Sequence, residues 1–210
     1  MSLQQYLDDH FVGKGELAEL AGISVDRIDQ LLSDGAIPAA TYISDGSTIE
    51  SSAFGKIQEQ ESRPGEYFRR DCVRWVRLAG EAPEGEARER VLDTLSAEFG
   101  EALTELGLSH DQVQLKIAEF IPSFLDGTFG LCVADPSTGK GISRKEIFQE
   151  KLTHLTKNGS IANPDEMSRD ELLELIDAYA KAAMPFSPAE RPLSSRRRLV
   201  DDLRPVVERT

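Results

Sequence analysis

The sequence of 210 residues predicts a mainly α-helical protein in two parts. Apolar residues recur at steps of three and four through most of the chain after residue 86, which is typical of amphipathic helices. Alternating residues around Asp45-Gly46 indicate a β-hairpin in the first part. The stretch 78–86 is rich in Gly, Pro and Glu and separates the parts. We therefore predict one domain at 1–80 and a helical domain at 86–210, the latter with a short β strand or hairpin.

The first part should begin with two short helices joined by a tight turn. Gly22 suits the left-handed turn position, and Ser24 can cap the second helix through its hydroxyl group. Gly35 and Pro38 should end that helix. The hairpin follows, then extended or loop chain over 51–68, and finally a third helix near 69–79 that Gly80 stops.

This segment resembles the winged helix-turn-helix of MerR and excisionase proteins. The stretch GELAELAGISVDRIDQLLSDGAIPAA gives the two helices, Gly35-Ala36-Ile37-Pro38 matches the exit, and EYFRRDCVRWV matches the third helix with its preceding strand. The resemblance covers residues 11–79 and implies a winged-helix fold. It also implies that Arg27 and Gln30, on the exposed face of the second helix, are placed to read guanine and adenine edges.

The charge distribution argues against DNA as the partner. The net charge is −13, Asp26 and Asp29 flank the two candidate reading residues, and the hairpin tip carries Asp45. DNA affinity depends on cations that neutralise phosphates, so these carboxylates oppose binding. We therefore expect a protein partner or a small-molecule ligand in preference to specific duplex DNA.

Capping signals divide the second part into helices. Four serines precede Gln or Glu by three positions, the spacing of a capping box: Ser109–Gln112, Ser143–Glu146, Ser168–Glu171 and Ser187–Glu190. Pro122 should kink or end its helix. Residues 128–133, TFGLCV, interrupt the helical periodicity of apolar residues and predict one short strand.

Familiar motifs for metal, cofactor and nucleophile chemistry are absent from the sequence. His10, His110 and His154 have no neighbours at ligand spacing, and Gly139-Lys140 lacks both the spacing and the Ser or Thr of a phosphate-binding loop. Cys72 and Cys132 are read as buried thiols in a reducing cytoplasm. We therefore expect no metal and no cofactor.

Two stretches are not explained by a helical core alone: FLDGTFGLCV at 124–133 and ERPLSSRRRLVDDLR at 190–204. The second places three arginines in the first turn of a helix, where the helix dipole disfavours cations. Ion pairs Arg197–Asp201 and Arg198–Asp202 would explain them structurally; an anion or ligand site is the alternative. The candidate members of such a site are Asp126, Arg144, Lys145, Arg191, Ser195 and Arg196.

The same stretches carry a second resemblance. The pattern F-L-D-G-T-F-G-L-C-V, then R-K-E, then P-F-S-P-x-E-R-P-L-S-S-R-x-R-L is similar to an uncharacterised bacterial family of natural-product biosynthesis proteins. The resemblance implies a role near secondary metabolism and supplies no catalytic residues.

Together these observations predict a cytoplasmic, non-enzymatic accessory or binding protein that is not a membrane protein. A homodimer is compatible with this prediction. The sequence has no apolar run of bilayer length and no secretory signal. Two alternatives are a DNA-binding transcriptional regulator and an enzyme with an unrecognised site.

Overall fold

The computed structural model describes residues 1–58 and 62–209. Its α-helices are α1 (Leu3–His10), α2 (Lys14–Ala21), α3 (Val25–Ser33), α4 (Val73–Gly80), α5 (Ala87–Glu105), α6 (His110–Leu125), α7 (Thr128–Cys132), α8 (Gly139–Leu155), α9 (Arg169–Ala182) and α10 (Arg204–Val207). Its strands are β1 (Phe11–Val12), β2 (Tyr42–Ser44), β3 (Thr48–Ser51), β4 (Gly55–Gln58) and β5 (Gly65–Arg69). Short 3₁₀ turns lie at Arg70–Cys72 and Arg191–Leu193, and a π-helix at Arg197–Asp202.

The fold is mixed α/β, and the prediction of a mainly α fold with one short strand or hairpin is wrong. Helix accounts for 59% of residues, but 10% form a five-stranded antiparallel sheet, in the order β1-β5-β2-β3-β4. The predicted hairpin exists as β2–β3, with Ile43 opposite Glu50. The segment predicted as extended or loop chain supplies β4 and β5, which pair with β3 and β2. Strand β4 has four residues and is mostly exposed, and β5 has five residues of which the last two are buried. Neither strand shows a hydrophobic alternation that the sequence alone reveals.

The helical pair at α2 and α3 forms as the sequence predicts. Gly22 adopts φ 75°, and its N–H donates to the Ala18 carbonyl at 2.9 Å. The Ser24 hydroxyl accepts from the Arg27 N–H at 3.1 Å. Both hydrogen bonds involve backbone groups at helix ends that would otherwise lack partners.

Capping is predicted correctly at two later helices and wrongly at a third. The reciprocal hydrogen bonds of a capping box are present at Ser109 and at Ser168. Helix α8 instead starts at Gly139, where the Thr138 hydroxyl accepts from the Gly141 N–H at 3.0 Å, and Ser143 is buried inside the helix. Helix α6 also continues through Pro122 to Leu125, because a proline in a last turn removes one hydrogen bond without ending the helix.

Residues 128–132 form helix α7 in place of the predicted strand, and Val133 follows in extended conformation. Gly127, at φ 84°, ends the preceding turn, and the Asp126 carboxylate accepts from the Thr128 N–H at 2.9 Å to start the new helix. Val133 retains one isolated antiparallel bridge, to Ala183. A short apolar run fits a buried helix as well as a strand. At Gly130 an added Cβ would lie 2.2 Å from the Thr41 hydroxyl oxygen, so α7 packs closely on the sheet.

The main hydrophobic cluster runs from Leu3 to Phe186 and crosses the proposed boundary at 80–86. The Trp75 ring makes an edge contact with Phe124 at a centroid distance of 5.4 Å. Its indole N–H donates to the Pro136 carbonyl at 2.9 Å. The two parts therefore share apolar contacts; their division into separately folding domains stays a prediction.

Candidate functional site

An open pocket of about 230 Å³ lies where the sheet, α7, α8 and the C-terminal segment meet. The turn between β3 and β4 contributes Phe54, α7 contributes Phe129 and Cys132, and α8 contributes Lys145. Aromatic side chains and buried polar groups thus converge from segments up to 140 positions apart. Such convergence is the usual basis for proposing a binding site.

Lys145 is the central polar group of the pocket. Its residue is 3% exposed, and its ammonium group donates to Glu146 Oε1 at 2.7 Å and to Cys132 Sγ at 3.3 Å. Burial of a lone ammonium would be costly, so the adjacent carboxylate is needed to keep it in place. Lys145 and Glu146 together form a locally neutral ion pair at the edge of the pocket.

The protonation states follow from burial and from these neighbours. Burial raises the pKa of the Cys132 thiol to about 11, in spite of the opposing effect of the nearby ammonium group. Burial lowers the pKa of Lys145, but Cys132, Glu146 and Tyr179 together raise it by more, so it lies above its ordinary value. At neutral pH the site therefore presents a thiol and an ammonium, not a thiolate and an amine.

Gln149 and Ser195 also line the pocket, and Tyr179 contacts both of them. The Tyr179 and Ser195 hydroxyl oxygens are 2.9 Å apart, and each lies 3.1 Å from the Gln149 side-chain oxygen. Each hydroxyl has one hydrogen, so one of them donates to Gln149 while the other donates either to Gln149 or to its neighbouring hydroxyl. Burial raises the pKa of Tyr179. The phenol therefore stays protonated and holds Ser195 and Gln149 in fixed positions.

The backbone at Phe186 is unusual for a bulky residue. Phe186 adopts φ 65°, in the left-handed region, and is buried. Its ring makes an edge contact with Phe54 at a centroid distance of 6.1 Å. Backbone strain of this kind persists where the surroundings fix a side chain, and it is found most often at functional sites.

The six residues predicted as an anion or ligand site do not form one cluster. Lys145 and Ser195 both line the pocket. Arg144 lines a different, larger cleft of about 930 Å³ together with Phe148 and Lys181, since consecutive helix residues point about 100° apart. Asp126 initiates α7, as described above.

The remaining two arginines have structural partners. Arg191 pairs with Asp201 at 2.9 Å, and Arg196 donates to the backbone carbonyls of Ala180 and Ala183 at the end of α9. These contacts account for both cations without a bound anion.

Arg197 and Arg198 have partners other than the aspartates predicted for them. Arg197 lies 3.6 Å from Asp202, and Arg198 donates to the Asn158 side chain at 3.3 Å. The predicted spacing of four residues assumed an α-helix, whereas 197–202 is a π-helix with hydrogen bonds five residues apart. The Arg197–Asp202 spacing of five follows from that geometry.

Sequence reasoning did not identify Glu146, Gln149, Tyr179 or Phe186 as site residues, and it read Cys132 as an ordinary buried strand thiol. One signal was present: Lys145 occupies an inward position three residues after Ile142 on α8. A lysine at a core position of a helix needs a buried partner. Only the tertiary structure identifies that partner.

The candidate DNA-reading residues lie on α3. The Gln30 amide donates to Asp34 at 2.8 Å, and Arg27 is half-buried. The adjacent Asp29 pairs with Lys14 at 2.8 Å. Gln30 is therefore already engaged within its own helix.

The arginines around the third helix are also engaged within the protein. Arg70 pairs with Glu16 at 2.9 Å. Arg74 pairs with a carboxylate on α5 and donates to the Ser137 carbonyl at 2.7 Å, and Arg77 donates to the Leu20 carbonyl. Arg69, the fourth arginine clustered around α4, pairs with Asp71 at 2.7 Å.

Within residues 1–58 and 62–209, no group of three or more His, Cys, Asp or Glu side chains is arranged to hold a metal ion. No helix in that same part of the chain combines the length and the apolar character needed to cross a bilayer.

No curated protein and no solved structure matches the chain. A family model for DUF6058, a family of unknown function, matches residues 89–207. The matched region runs from α5 to α10 and includes Cys132, Lys145, Phe186 and Ser195, whereas the sheet lies outside it. The match spans more than half of the chain, and the protein therefore belongs to the DUF6058 family of unknown function.

Proposed function

We propose that the protein is a non-enzymatic binding protein that takes a small neutral molecule through a carbonyl oxygen at Lys145. We place this activity in the cytoplasm, as an accessory function in bacterial natural-product biosynthesis. The observation that carries the proposal is the buried Lys145 ammonium group at the edge of the pocket. The unpaired thiols of Cys72 and Cys132 support the compartment.

The ammonium group has capacity for one more hydrogen bond. Lysine carries three N–H donors. Among the described residues, the acceptors of Lys145 are Glu146 Oε1 and Cys132 Sγ, and sulfur is a weak acceptor. A ligand oxygen that enters the pocket would accept a hydrogen bond from the third N–H group of Lys145.

The charge of the site favours a neutral ligand over an anion. The Glu146 carboxylate lies 2.7 Å from the Lys145 nitrogen and offsets its charge. An incoming anion would meet this carboxylate at close range, whereas a ketone, amide or ester oxygen would not. The aromatic rings of Phe54, Phe129 and Phe186 supply apolar walls for the body of the ligand. The volume of about 230 Å³ is below the range of roughly 300–1,000 Å³ for drug-sized ligands, so the ligand is small.

A matched pair of probes tests the proposal. Benzamide and benzoate have similar shapes, but only benzoate is charged. At ten times its Kd, benzamide should stabilise the protein by about 1.4 kcal/mol, which raises Tm by about 3–5 °C in a chain of this size. Benzoate should give a smaller shift at equal concentration.

Variants assign the effect to the pocket. Lys145→Met should abolish the benzamide shift, whereas Lys151→Met, which changes an exposed lysine on the same helix, should retain it. Circular dichroism checks that both variants fold. A larger shift with benzoate, no shift with benzamide, or equal benzamide shifts in both variants would refute the proposal.

We further propose that residues 11–79 are a winged helix-turn-helix that serves as a scaffold and not as a DNA reader. The turn between β3 and β4 makes contacts within the protein: the Ser52 hydroxyl donates to the Asp126 carbonyl at 2.7 Å, and Phe54 lines the pocket. These contacts support a role in building the binding site.

A further inference from the structure

Cys132 and Lys145 make an unusual buried contact between a thiol and an amine. Their Sγ and Nζ atoms are 3.3 Å apart, and Glu146 Oε1 lies 2.7 Å from Nζ and 4.0 Å from Sγ. Both residues line the open pocket, which gives a small oxidant access to the sulfur. The second thiol, Cys72, has Arg69 and Asp71 as its charged neighbours instead.

We propose that hydrogen peroxide cross-links Cys132 to Lys145 covalently, which makes this pair a redox modification site. The inference does not depend on the carbonyl ligand, because it uses the proximity of two protein atoms and not the free N–H group. A cross-link would also remove the charge of Lys145, so oxidation would close the pocket to any ligand that needs this ammonium group.

The first step oxidises the sulfur. Cys132 Sγ attacks one peroxide oxygen, an S–O bond forms and the O–O bond breaks. The departing hydroxide takes the thiol proton and leaves as water, so the thiol becomes a sulfenic acid. Since burial keeps the thiol protonated, the step is slow and needs peroxide in the millimolar range.

The second step joins the two residues. Lys145 Nζ passes a proton to Glu146 at 2.7 Å and attacks the sulfur with its free electron pair. An S–N bond forms, the S–O bond breaks, and the hydroxide leaves as water with the proton held by Glu146. Sulfenic acids condense with nitrogen in this way. The nitrogen, which still carries a positive charge, then passes a second proton to Glu146 and becomes neutral. In total, one peroxide becomes two waters, the sulfur loses one hydrogen, and the ammonium nitrogen loses two, one of which is released as a proton.

The geometry favours this route over further oxidation. The nitrogen is already in contact with the sulfur, so the condensation is intramolecular and has a high effective concentration. A second peroxide must first enter the pocket from solution. The cross-link should therefore form before sulfinic acid accumulates.

Mass spectrometry of the full chain tests the proposal. After treatment with millimolar peroxide, the wild-type chain should lose about 2 Da. Trypsin should no longer cleave after Lys145, and the peptides that carry Cys132 and Lys145 should appear as one linked pair. Dithiothreitol should restore both peptides. A second peroxide can add one oxygen to the linked pair, which is then about 16 Da heavier than the pair without oxygen. This product also joins the two residues and supports the cross-link.

Three variants separate the cross-link from other oxidations. Cys72→Ser should still form it, which excludes a Cys72–Cys132 disulfide of the same mass change. Lys145→Met should instead gain about 16 or 32 Da on Cys132, and Cys132→Ser should give no linked pair. Normal trypsin cleavage after Lys145 in peroxide-treated wild type, with the added oxygens found on Cys132, would overturn the proposal. Loss of the linked pair in Cys72→Ser would do the same.

Discussion

The hydroxyl of Tyr42 offers a sharp test of how the sheet is joined to the C-terminal segment. It donates to Glu190 Oε2 at 2.5 Å, and the Ser51 hydroxyl donates to the other carboxyl oxygen at 2.7 Å. Ser187 completes the set by donating to Oε2 at 2.9 Å. Glu190 is 1% exposed, so these hydroxyls replace water as its partners. Tyr42→Phe removes one donor and keeps the buried ring.

The expected cost follows from the burial of the carboxyl group. A hydrogen bond to a charged group contributes about 1.5–3 kcal/mol, and a buried acceptor that loses its donor adds a desolvation penalty. We expect Tyr42→Phe to lower the free energy of unfolding by about 2 kcal/mol. With an m-value near 3 kcal/mol/M in urea, the unfolding midpoint should fall by about 0.7 M.

Tyr67→Phe is the matched control. The Tyr67 hydroxyl donates to the Arg63 carbonyl at 2.7 Å in a solvent-exposed setting, where removal of a hydroxyl should cost at most about 0.5 kcal/mol. Urea unfolding followed by the fluorescence of Trp75, the only tryptophan, measures both variants. If Tyr42→Phe costs no more than Tyr67→Phe, the carboxyl group of Glu190 does not join the sheet to the C-terminal segment as described.

Three further predictions follow from the same contacts. Burial raises the pKa of Glu190 above its ordinary value, so its contribution to stability is full below the unfolded-state pKa and is lost as the pH rises through the raised value; Glu190→Gln should therefore gain stability relative to wild type as the pH rises above about 4, and a constant difference in urea midpoints would contradict this. Gly130→Ala should cost about 1–3 kcal/mol by overpacking against Thr41, whereas Gly100→Ala, with no atom within 4 Å of the new Cβ, should stabilise α5 by about 0.5–1 kcal/mol; equal effects in thermal unfolding would rule out close packing of α7. Selection from random duplex DNA at moderate salt should enrich no motif, given a net charge of −13; a motif that persists in wild type and disappears in Arg27→Ala would make the protein a regulator.

Features that depend on neighbours in sequence were predictable. The caps at Ser24, Ser109 and Ser168 each use a hydrogen bond across three positions, and the β2–β3 hairpin uses a tight turn at Asp45-Gly46. Their residue types have a direct local reason to be where they are. The strands β1 and β5 lack such signals because their pairing partners are distant in the sequence. Strand β4 pairs locally with β3, but it is too short and too exposed to show hydrophobic alternation.

The candidate site was predictable only in part. Lys145 and Ser195 were identified from unusual residue patterns, but their convergence at one pocket depends on α7. As a helix, α7 directs Cys132 towards Lys145, thirteen positions later. The apolar run 128–133 has no periodicity long enough to choose between helix and strand, so the contact that defines the site could not be derived from the sequence.

The π-helix at Arg197–Asp202 has a consequence for how relatives of this chain should align. A π-helical turn holds one residue more than the α-helical turn it replaces. Deletion of a single residue there would restore an ordinary helix and keep Leu203 and Val207, both buried, on the same face. The same deletion within α8 would rotate every later side chain by about 100° and move Lys145 or its neighbours out of register. Single-residue gaps in an alignment of the family should therefore concentrate at 197–202 and be rare between Gly139 and Leu155.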